Sequence, residues 1–258
     1  MSQVPPLAEA YGPGADGFGE LWRPPGEGPW PVVALLHGGF WRASRTLELM
    51  RPLAADLAAR GFAAWNLEYR RVGQPGGGWP GTCQDVAAGL DHLAGLTARE
   101  RLDLDRLVVA GHSAGGHLAL WSAARPGLPA GTPGAGPRVV PRLVVSLAGV
   151  CDLHAGAAQA IGEGAVTEFL GATPDQAADR YRLASPRARL PLGVAQLLVH
   201  GDADTRVPVS QSRAYAAAAA AAGDPVELVE LAGVDHMAVI DPTAPAWAEV
   251  TRRLARSP

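Results

Sequence analysis

The residues with the clearest chemical potential lie at 111–115, which read Gly-His-Ser-Ala-Gly. A serine between two glycines, after the apolar run 107–110 and before a helical pattern, is typical of a sharp turn from a strand into a helix. Glycines at both ends leave room for the crowded backbone of such a turn. The turn would lift the Ser113 hydroxyl above a sheet and aim helix N–H groups at a developing negative charge. Ser113 is therefore the candidate nucleophile.

A glycine pair occurs in residues 37–41 (HGGFW), directly after the apolar run 32–36. An acyl-transfer site needs at least two N–H donors directed at the substrate carbonyl oxygen as it becomes tetrahedral. We predict that the main-chain N–H groups of Gly38 and Gly39, together with that of Ala114, form this oxyanion hole. His37 is expected to hold the loop in place through hydrogen bonds rather than to titrate during catalysis.

Seven histidines could act as the general base: His37, His92, His112, His117, His154, His200 and His236. Where such a turn carries the nucleophile, the acid and then the base follow it in the chain, which excludes the first two. The two beside the serine are too close in sequence to swing over its hydroxyl. His200 ends an apolar run and is expected to be structural, and His154 falls in a candidate lid. His236 follows the run 226–231 in a loop, where it can take the serine proton and return it to the leaving group.

The acid that orients the base is expected in the loop 201–208 (GDADTRVP), after the apolar run 196–199. Asp202 and Asp204 both fit, and physical reasoning from the sequence leaves the choice between them open. The residue that is not the acid is expected to accept nearby backbone N–H groups in a turn. Asp235 and Asp152 are weaker candidates.

Composition narrows the class of protein. The 258 residues are 48% hydrophobic and 18% charged with a net charge of -3, which predicts a globular chain without a nucleic-acid partner. Two cysteines predict neither a disulfide framework nor a zinc site, and we expect no metal and no cofactor. No apolar run reaches the length of a membrane span, and residues 1–10 do not resemble a signal peptide. We therefore expect a cytoplasmic protein with no membrane partner.

Short apolar runs alternate with helical patterns along the chain. This predicts an α/β fold with a mostly parallel, twisted sheet and helices on both faces, in one domain over 1–258. The candidate parallel strands are 32–36, 62–67, 107–110, 143–147, 196–199 and 226–231. An antiparallel strand at 18–22 is expected at the sheet edge. The segment 151–192 is too long for a plain connection and is a candidate lid with a helix near 165–170.

The segments 37–41 (HGGFW), 111–117 (GHSAGGH) and 201–208 (GDADTRVP) resemble those of the α/β-hydrolase superfamily, especially its kynurenine-formamidase-like and small-carboxylesterase branches. The resemblance covers roughly residues 30–255. It implies an α/β-hydrolase fold and a Ser–Asp–His triad of Ser113, Asp204 and His236. Asp204 is preferred over Asp202 because it stands at the aspartate of the family's G-x-x-D-x-x-V-P pattern. The third glycine of the lipase-like HGGG loop is missing.

The expected function is hydrolysis of a small carboxylic ester or aryl amide through an acyl-enzyme. The alternative is an arylformamidase that acts on N-formylkynurenine, for which Trp41, Tyr69 and Trp79 would line an aryl pocket. A peptidase or a non-catalytic binding protein is a weaker alternative. The expected partner is a small-molecule substrate, and the oligomeric state is left open, with a homodimer as one option.

Overall fold

The computed structural model describes residues 5–256, so the outermost residues of the expected domain, 1–4 and 257–258, lie outside the described part. Eight strands form one sheet in the order β1-β2-β4-β3-β5-β6-β7-β8. The β1–β2 and β2–β4 pairs are antiparallel and the other neighbours are parallel. The strands are β1 (Leu7–Ala10), β2 (Phe18–Trp22), β3 (Trp30–Leu36), β4 (Ala63–Leu67), β5 (Leu102–His112), β6 (Leu143–Leu147), β7 (Ala195–Gly201) and β8 (Val226–Leu231).

Within residues 5–256, eight α-helices lie between or after these strands and cover both faces of the sheet. They are α1 (Arg51–Ala59), α2 (Gly81–Glu100), α3 (Ala114–Ala124), α4 (Leu153–Ala158), α5 (Ile161–Leu170), α6 (Ala178–Ala184), α7 (Ser210–Ala221) and α8 (Pro245–Leu254). One core lies between the sheet and helices α1 and α8, and the other lies between the opposite face and the remaining helices. The central strands are buried on both faces, which is why they read as continuous apolar runs. The predicted α/β class and mostly parallel sheet are confirmed.

The segment 151–192 holds helices α4, α5 and α6, and the helix predicted near 165–170 lies within α5. Its apolar side chains, including those of Ile161, Phe169 and Tyr181, pack into the same core as α2 and α3. Part of the segment is therefore core structure, and its role as a lid stays a prediction. Strand β1 was not predicted from the sequence, and β5 begins five residues before the predicted run 107–110.

His117 joins helix α3 to this segment. Its Nε2 donates to the carbonyl of Ala184 at 2.9 Å, and its Nδ1 accepts from the Trp41 indole N–H at 3.2 Å. The Trp41 ring stacks on Phe169 of α5, with 4.8 Å between ring centroids. Both ring nitrogens of His117 are thus satisfied in the neutral state. Burial lowers the pKa of His117 to about 4, although the bond to Ala184 opposes this shift.

Helix α2 offers a matched pair of glycines that tests its packing against the sheet. A Cβ on Gly89 would lie 2.3 Å from a methyl carbon of Leu67, whereas nothing lies within 4 Å of a Cβ on Gly95. We expect Gly89→Ala to lower the free energy of unfolding by about 1–3 kcal/mol through overpacking. Gly95→Ala should raise it by about 0.5–1 kcal/mol through helix propensity. Urea unfolding measures both, and equal effects of the two substitutions would contradict this packing.

Burial of His117 predicts a pH dependence of stability. Its pKa is lower in the folded state, so the unfolded state binds a proton that the folded state does not as the pH falls from about 6.5 to about 4. The stabilising contribution is complete above about pH 6.5, and roughly 3 kcal/mol of it should be lost by pH 4. His117→Gln should flatten the fall in unfolding free energy over this interval. The exposed His154, changed to Gln, is the control, and parallel profiles of wild type and His117→Gln would refute the assignment.

Candidate functional site

Ser113 lies at the turn where β5 ends and α3 begins. Its φ of 57° and ψ of -117° are strained for a residue with a side chain. Its N–H donates to the carbonyl of Leu147 at 2.8 Å, which ties the turn to β6. A Cβ on Gly115 would lie 2.0 Å from the carbonyl oxygen of Leu36, and one on Gly111 would lie 2.0 Å from that of Gly115. The two flanking glycines are therefore required by main-chain contact, as the sequence analysis expected.

The loop after β3 lies directly against this turn. A Cβ on Gly38 would be 3.0 Å from the Cβ of Ser113, so the main chain of this loop is in direct contact with the serine side chain. Gly39 has a φ of 121°, which is open to glycine but unfavourable for other residues. Ala114 is the first residue of α3, where N–H groups lack partners within the helix. The three predicted oxyanion donors thus lie on two segments that converge at Ser113.

His37 and Glu68 hold the loop after β3, named the oxyanion loop because it carries the candidate oxyanion donors Gly38 and Gly39. His37 Nε2 is 3.0 Å from Glu68 Oε1, and the Tyr69 hydroxyl donates to the carbonyl of His37 at 2.6 Å. Glu68 also accepts from the main-chain N–H groups of Leu47 and Tyr69 at 3.0 Å each. Burial acts to raise the pKa of Glu68, but its hydrogen bonds and the nearby Arg71 outweigh burial and lower it. His37 therefore holds the oxyanion loop in place through these hydrogen bonds.

His236 and Asp204 form the closest carboxylate–imidazole pair at the site. Asp204 Oδ2 lies 2.6 Å from His236 Nδ1, and its Oδ1 accepts from the N–H groups of Arg206 and Val207 at 2.8 and 2.9 Å. Burial acts to raise the pKa of Asp204. Hydrogen bonds from His200, His236 and the Val207 N–H outweigh this and hold the pKa well below its usual range. The carboxylate is thus ionised and holds the imidazole with Nδ1 protonated.

His200 is a neighbour of this pair that the sequence analysis treated only as structural. It is fully buried, and its Nε2 lies 3.2 Å from Asp204 Oδ2 and 3.0 Å from the carbonyl of Val207. Its Nδ1 faces the Ser212 hydroxyl at 2.7 Å. His200 therefore contacts the same carboxylate oxygen as His236 from the opposite side. In the sequence, the only signal for this contact was the position of His200 near the end of β7, two residues before Asp202.

His112 supports the loop that carries His236. Its Nε2 donates to the carbonyl of His236 at 2.9 Å, and the two rings lie 4.6 Å apart between centroids. Burial, together with the nearby His236, lowers the pKa of His112 to about 3. A neutral His112 is consistent with its place beside a second imidazole. His112 was not expected to be the base because it directly precedes Ser113 in the chain, and its contact with His236 was not predicted.

The other candidate acids have local roles. Asp202 Oδ1 accepts from the N–H of Gly233 at 2.6 Å, Asp235 accepts from the N–H groups of Met237 and Ala238, and Asp152 caps helix α4. None of these bonds involves His236. Asp204 is therefore the carboxylate that the fold pairs with it, and Asp202 has the turn-forming role expected of the other residue in the loop.

Ser113 and His236 line a common cavity of about 250 Å³. Its other walls are Gly39, Phe40, Arg42, Ser44, Arg45, Leu49, His112, Arg206 and Met237. Three aromatic residues expected to line an aryl pocket are not among them. Trp41 and Tyr69 have no exposed surface and belong to the core, and Trp79 is half-buried against the same core. These three residues lie outside the cavity because they pack towards α3, α5 and the oxyanion loop rather than towards Ser113.

Within residues 5–256, no three His, Cys, Asp or Glu side chains gather in a group that could hold a metal ion. The two cysteines in this part, Cys83 and Cys151, are both buried and unpaired. No helix described here combines the length and the apolar character needed to cross a membrane.

Comparison with known proteins is consistent with this geometry. LipM of Mycobacterium tuberculosis, a probable carboxylic ester hydrolase, is 30% identical over 118 residues, which cover 45% of this chain and 27% of LipM. The esterase LipQ of the same organism is 28% identical over 88% of this chain and 55% of its own length. The chain thus spans about half the length of LipQ and a smaller share of LipM.

A thermophilic esterase from Thermogutta terrifontis is similar in structure, with a TM-score of 0.79, 22% identity and coverage of 98% of this chain and 91% of its own. This likeness confirms the α/β-hydrolase fold. The sequence model of the BD-FAE family matches residues 20–218. The chain therefore belongs to the BD-FAE family, a carboxylesterase family of the α/β hydrolases.

Proposed function

We propose that this chain is a serine hydrolase that cleaves small carboxylic esters through an acyl-enzyme. The observation that carries the proposal is that His236, which is held by Asp204, lines the same cavity as the strained Ser113. Membership of the BD-FAE family and similarity to two named esterases support the same reaction. A Thermogutta terrifontis esterase of the same fold is also known in forms modified by tabun and by sarin, which supports using organophosphorus probes here.

The first half of the reaction follows from the contacts at the site. His236 Nδ1 is held by Asp204, and no hydrogen bond among the described residues occupies its Nε2, which can take the proton of the Ser113 hydroxyl. The serine oxygen attacks the ester carbonyl carbon and forms a tetrahedral intermediate. N–H groups of Gly38, Gly39 and Ala114 would stabilise its oxyanion. The proton then passes from His236 to the alcohol, which leaves as the carbon–oxygen bond breaks.

The second half reverses these roles with water. His236 takes a proton from a water molecule, whose oxygen attacks the acyl carbon. Collapse of the second tetrahedral intermediate returns the proton to Ser113 and releases the carboxylic acid. Throughout both halves, Asp204 stays ionised because its hydrogen bonds hold its pKa low, and it stabilises the imidazolium that forms twice per cycle.

An arylformamidase activity on N-formylkynurenine uses the same chemistry with an amide in place of the ester. The burial of Trp41 and Tyr69 removes two of the side chains that were expected to line its aryl pocket. We keep it as one outcome of a substrate panel, along with an aryl amide and a peptide. If the chain were a binding protein without catalytic activity, the hydrogen bond between Asp204 and His236 would have no function.

Substitution of the nucleophile tests the proposal directly. Wild type should hydrolyse p-nitrophenyl acetate and butyrate and should be labelled by a fluorophosphonate. Ser113→Ala should lose labelling, and its kcat should fall by about 10³-fold or more, because the acyl-enzyme can no longer form. The same panel includes N-formylkynurenine. A wild-type protein that neither turns over any substrate nor reacts with the probe would refute the hydrolase proposal.

Two aspartates in one loop provide a matched test of the acid. Asp204→Asn should reduce kcat on p-nitrophenyl acetate by about 10³- to 10⁴-fold, because an amide can favour the wrong tautomer of His236 and cannot stabilise its charge. Asp202→Asn has the same change of charge two residues away and should stay within about threefold of wild type, since Asp202 only accepts a backbone N–H. Steady-state kinetics measures both variants. A larger loss from Asp202→Asn would reassign the acid.

A further inference from the structure

Three arginine side chains line the cavity that contains Ser113. Arg42 and Arg45 come from the loop after β3, and Arg206 comes from the loop that carries Asp204. They reach the cavity from two sides of the site, more than 160 positions apart in the chain. Because the guanidinium group stays protonated at any ordinary pH, the fixed positive charge near the reacting serine depends only on which of them are neutralised.

Arg42 is neutralised within the protein. Its Nε and one terminal nitrogen bind the two carboxylate oxygens of Glu168 at 2.7 and 2.9 Å, and the same terminal nitrogen reaches the carbonyl of Gly162 at 2.9 Å. This two-point contact fixes the side chain between the loop and helix α5. Arg42 therefore serves the protein's own packing and contributes little net charge to the cavity.

Arg45 and Arg206 are different. Both are exposed, and within residues 5–256 neither guanidinium makes an ion pair or a hydrogen bond. Nearby carboxylates are engaged elsewhere: Glu48 pairs with Arg51 at 3.0 Å, and Asp204 is held between His236 and His200. In the described part of the chain, neither guanidinium is therefore paired directly with a carboxylate.

The lining of this cavity also includes apolar side chains. Phe40, Leu49 and Met237 also line the cavity, and Met237 is 41% exposed, which is high for a large apolar side chain. A second cavity of about 430 Å³ continues outward and shares Arg45, Leu49 and Met237 with the first. A small molecule with a short apolar body and one anionic end matches this combination of apolar and cationic side chains.

Resting on the proposed hydrolase activity, we propose that this site selects esters that carry a carboxylate, which Arg45 and Arg206 bind. The carboxylate can belong to the acyl part, as in a half-ester of a dicarboxylic acid, or to the alcohol part, as in an acylated hydroxy acid. Both place a negative charge a few bonds from the ester, where two unpaired guanidinium groups would attract it. The preference should weaken with salt, since both arginines are exposed.

The experiment compares each charged ester with a neutral partner of the same size. Monoethyl glutarate and ethyl glutaramate differ by a carboxylate against an amide in the acyl part. The pair 4-acetoxybenzoate and 4-acetoxybenzamide differs in the same way in the alcohol part. The readout is the ratio of kcat/KM for the charged ester to that for its neutral partner, measured by acid release at about pH 7, where the carboxylates are ionised.

Wild type should prefer the charged ester of at least one pair by about fivefold or more at low ionic strength, a factor expected for two exposed ion pairs. In the double variant Arg45→Gln/Arg206→Gln this ratio should fall to about one. The control is Arg138→Gln/Arg142→Gln, which makes the same change in net charge at exposed arginines outside the lining of this cavity. Its ratio should match that of wild type. The pair that shows the preference identifies which part of the substrate carries the carboxylate.

A binding measurement separates this inference from the hydrolase proposal. In Ser113→Ala, NMR titration should give a lower Kd for monoethyl glutarate or 4-acetoxybenzoate than for the neutral partner, and adding Arg45→Gln/Arg206→Gln should remove the difference. Equal ratios and equal Kd values for charged and neutral compounds overturn the inference, while turnover of the neutral esters leaves the hydrolase function intact. A preference that the control substitutions abolish as well also overturns it, because net charge alone would then explain the result. A Kd difference in Ser113→Ala, together with no turnover of any ester by wild type, would support the anion site and refute the hydrolase proposal.

Discussion

The close main-chain contact beneath Ser113 is the constraint on which the rest of the site depends. Gly115 has no room for a side chain because the carbonyl of Leu36 lies where its Cβ would be, and this contact locks the start of α3 against the end of β3. The serine is held in a strained conformation by the strands on either side of it. Since the oxyanion loop continues from β3, the same contact also brings that loop to the serine. One packing constraint thus positions both the candidate nucleophile and the candidate oxyanion donors.

Three buried histidines position other parts of the site, and each contacts a different segment or side chain. His117 joins α3 to the segment 151–192, His112 holds the loop of His236, and His200 contacts the carboxylate that orients it. Burial lowers the pKa of His112 and His117, so both serve as neutral hydrogen-bonding groups. His236 differs because its Nδ1 is bound by an ionised aspartate, while its other nitrogen remains available at the cavity. The same residue type therefore has structural roles at three positions and the proposed catalytic role at a fourth, and these are distinguished by hydrogen-bond partners and burial.

The cavity that contains Ser113 is also lined by two arginine side chains that have no carboxylate partner in the described part of the chain. Glu168 neutralises Arg42, whereas no carboxylate in the described part of the chain does so for Arg45 or Arg206. Charged side chains at a cavity are costly to keep unpaired only where they are desolvated, and these two remain exposed to solvent. They can therefore await a ligand without destabilising the fold. Catalysis and selection of the substrate would then rest on different residues: the former on Ser113, Asp204 and His236, and the latter on the arginines.

The sequence by itself determined the features that depend on local sterics and on the spacing of apolar residues. The glycines around Ser113, the alternation of apolar runs with helical patterns, and the bounds of β2, β6 and β8 all follow from steric room and hydrophobic periodicity. Local chemistry left Asp202 and Asp204 equivalent, and in the sequence only the resemblance to the family pattern favoured Asp204. The tertiary structure supplies the physical difference, because the Gly233 N–H binds one carboxylate and the His236 imidazole binds the other. It also turned Trp41 and Tyr69 into the core and brought Arg45 and Arg206 to one cavity, since the direction of a side chain depends on packing between elements far apart in the chain.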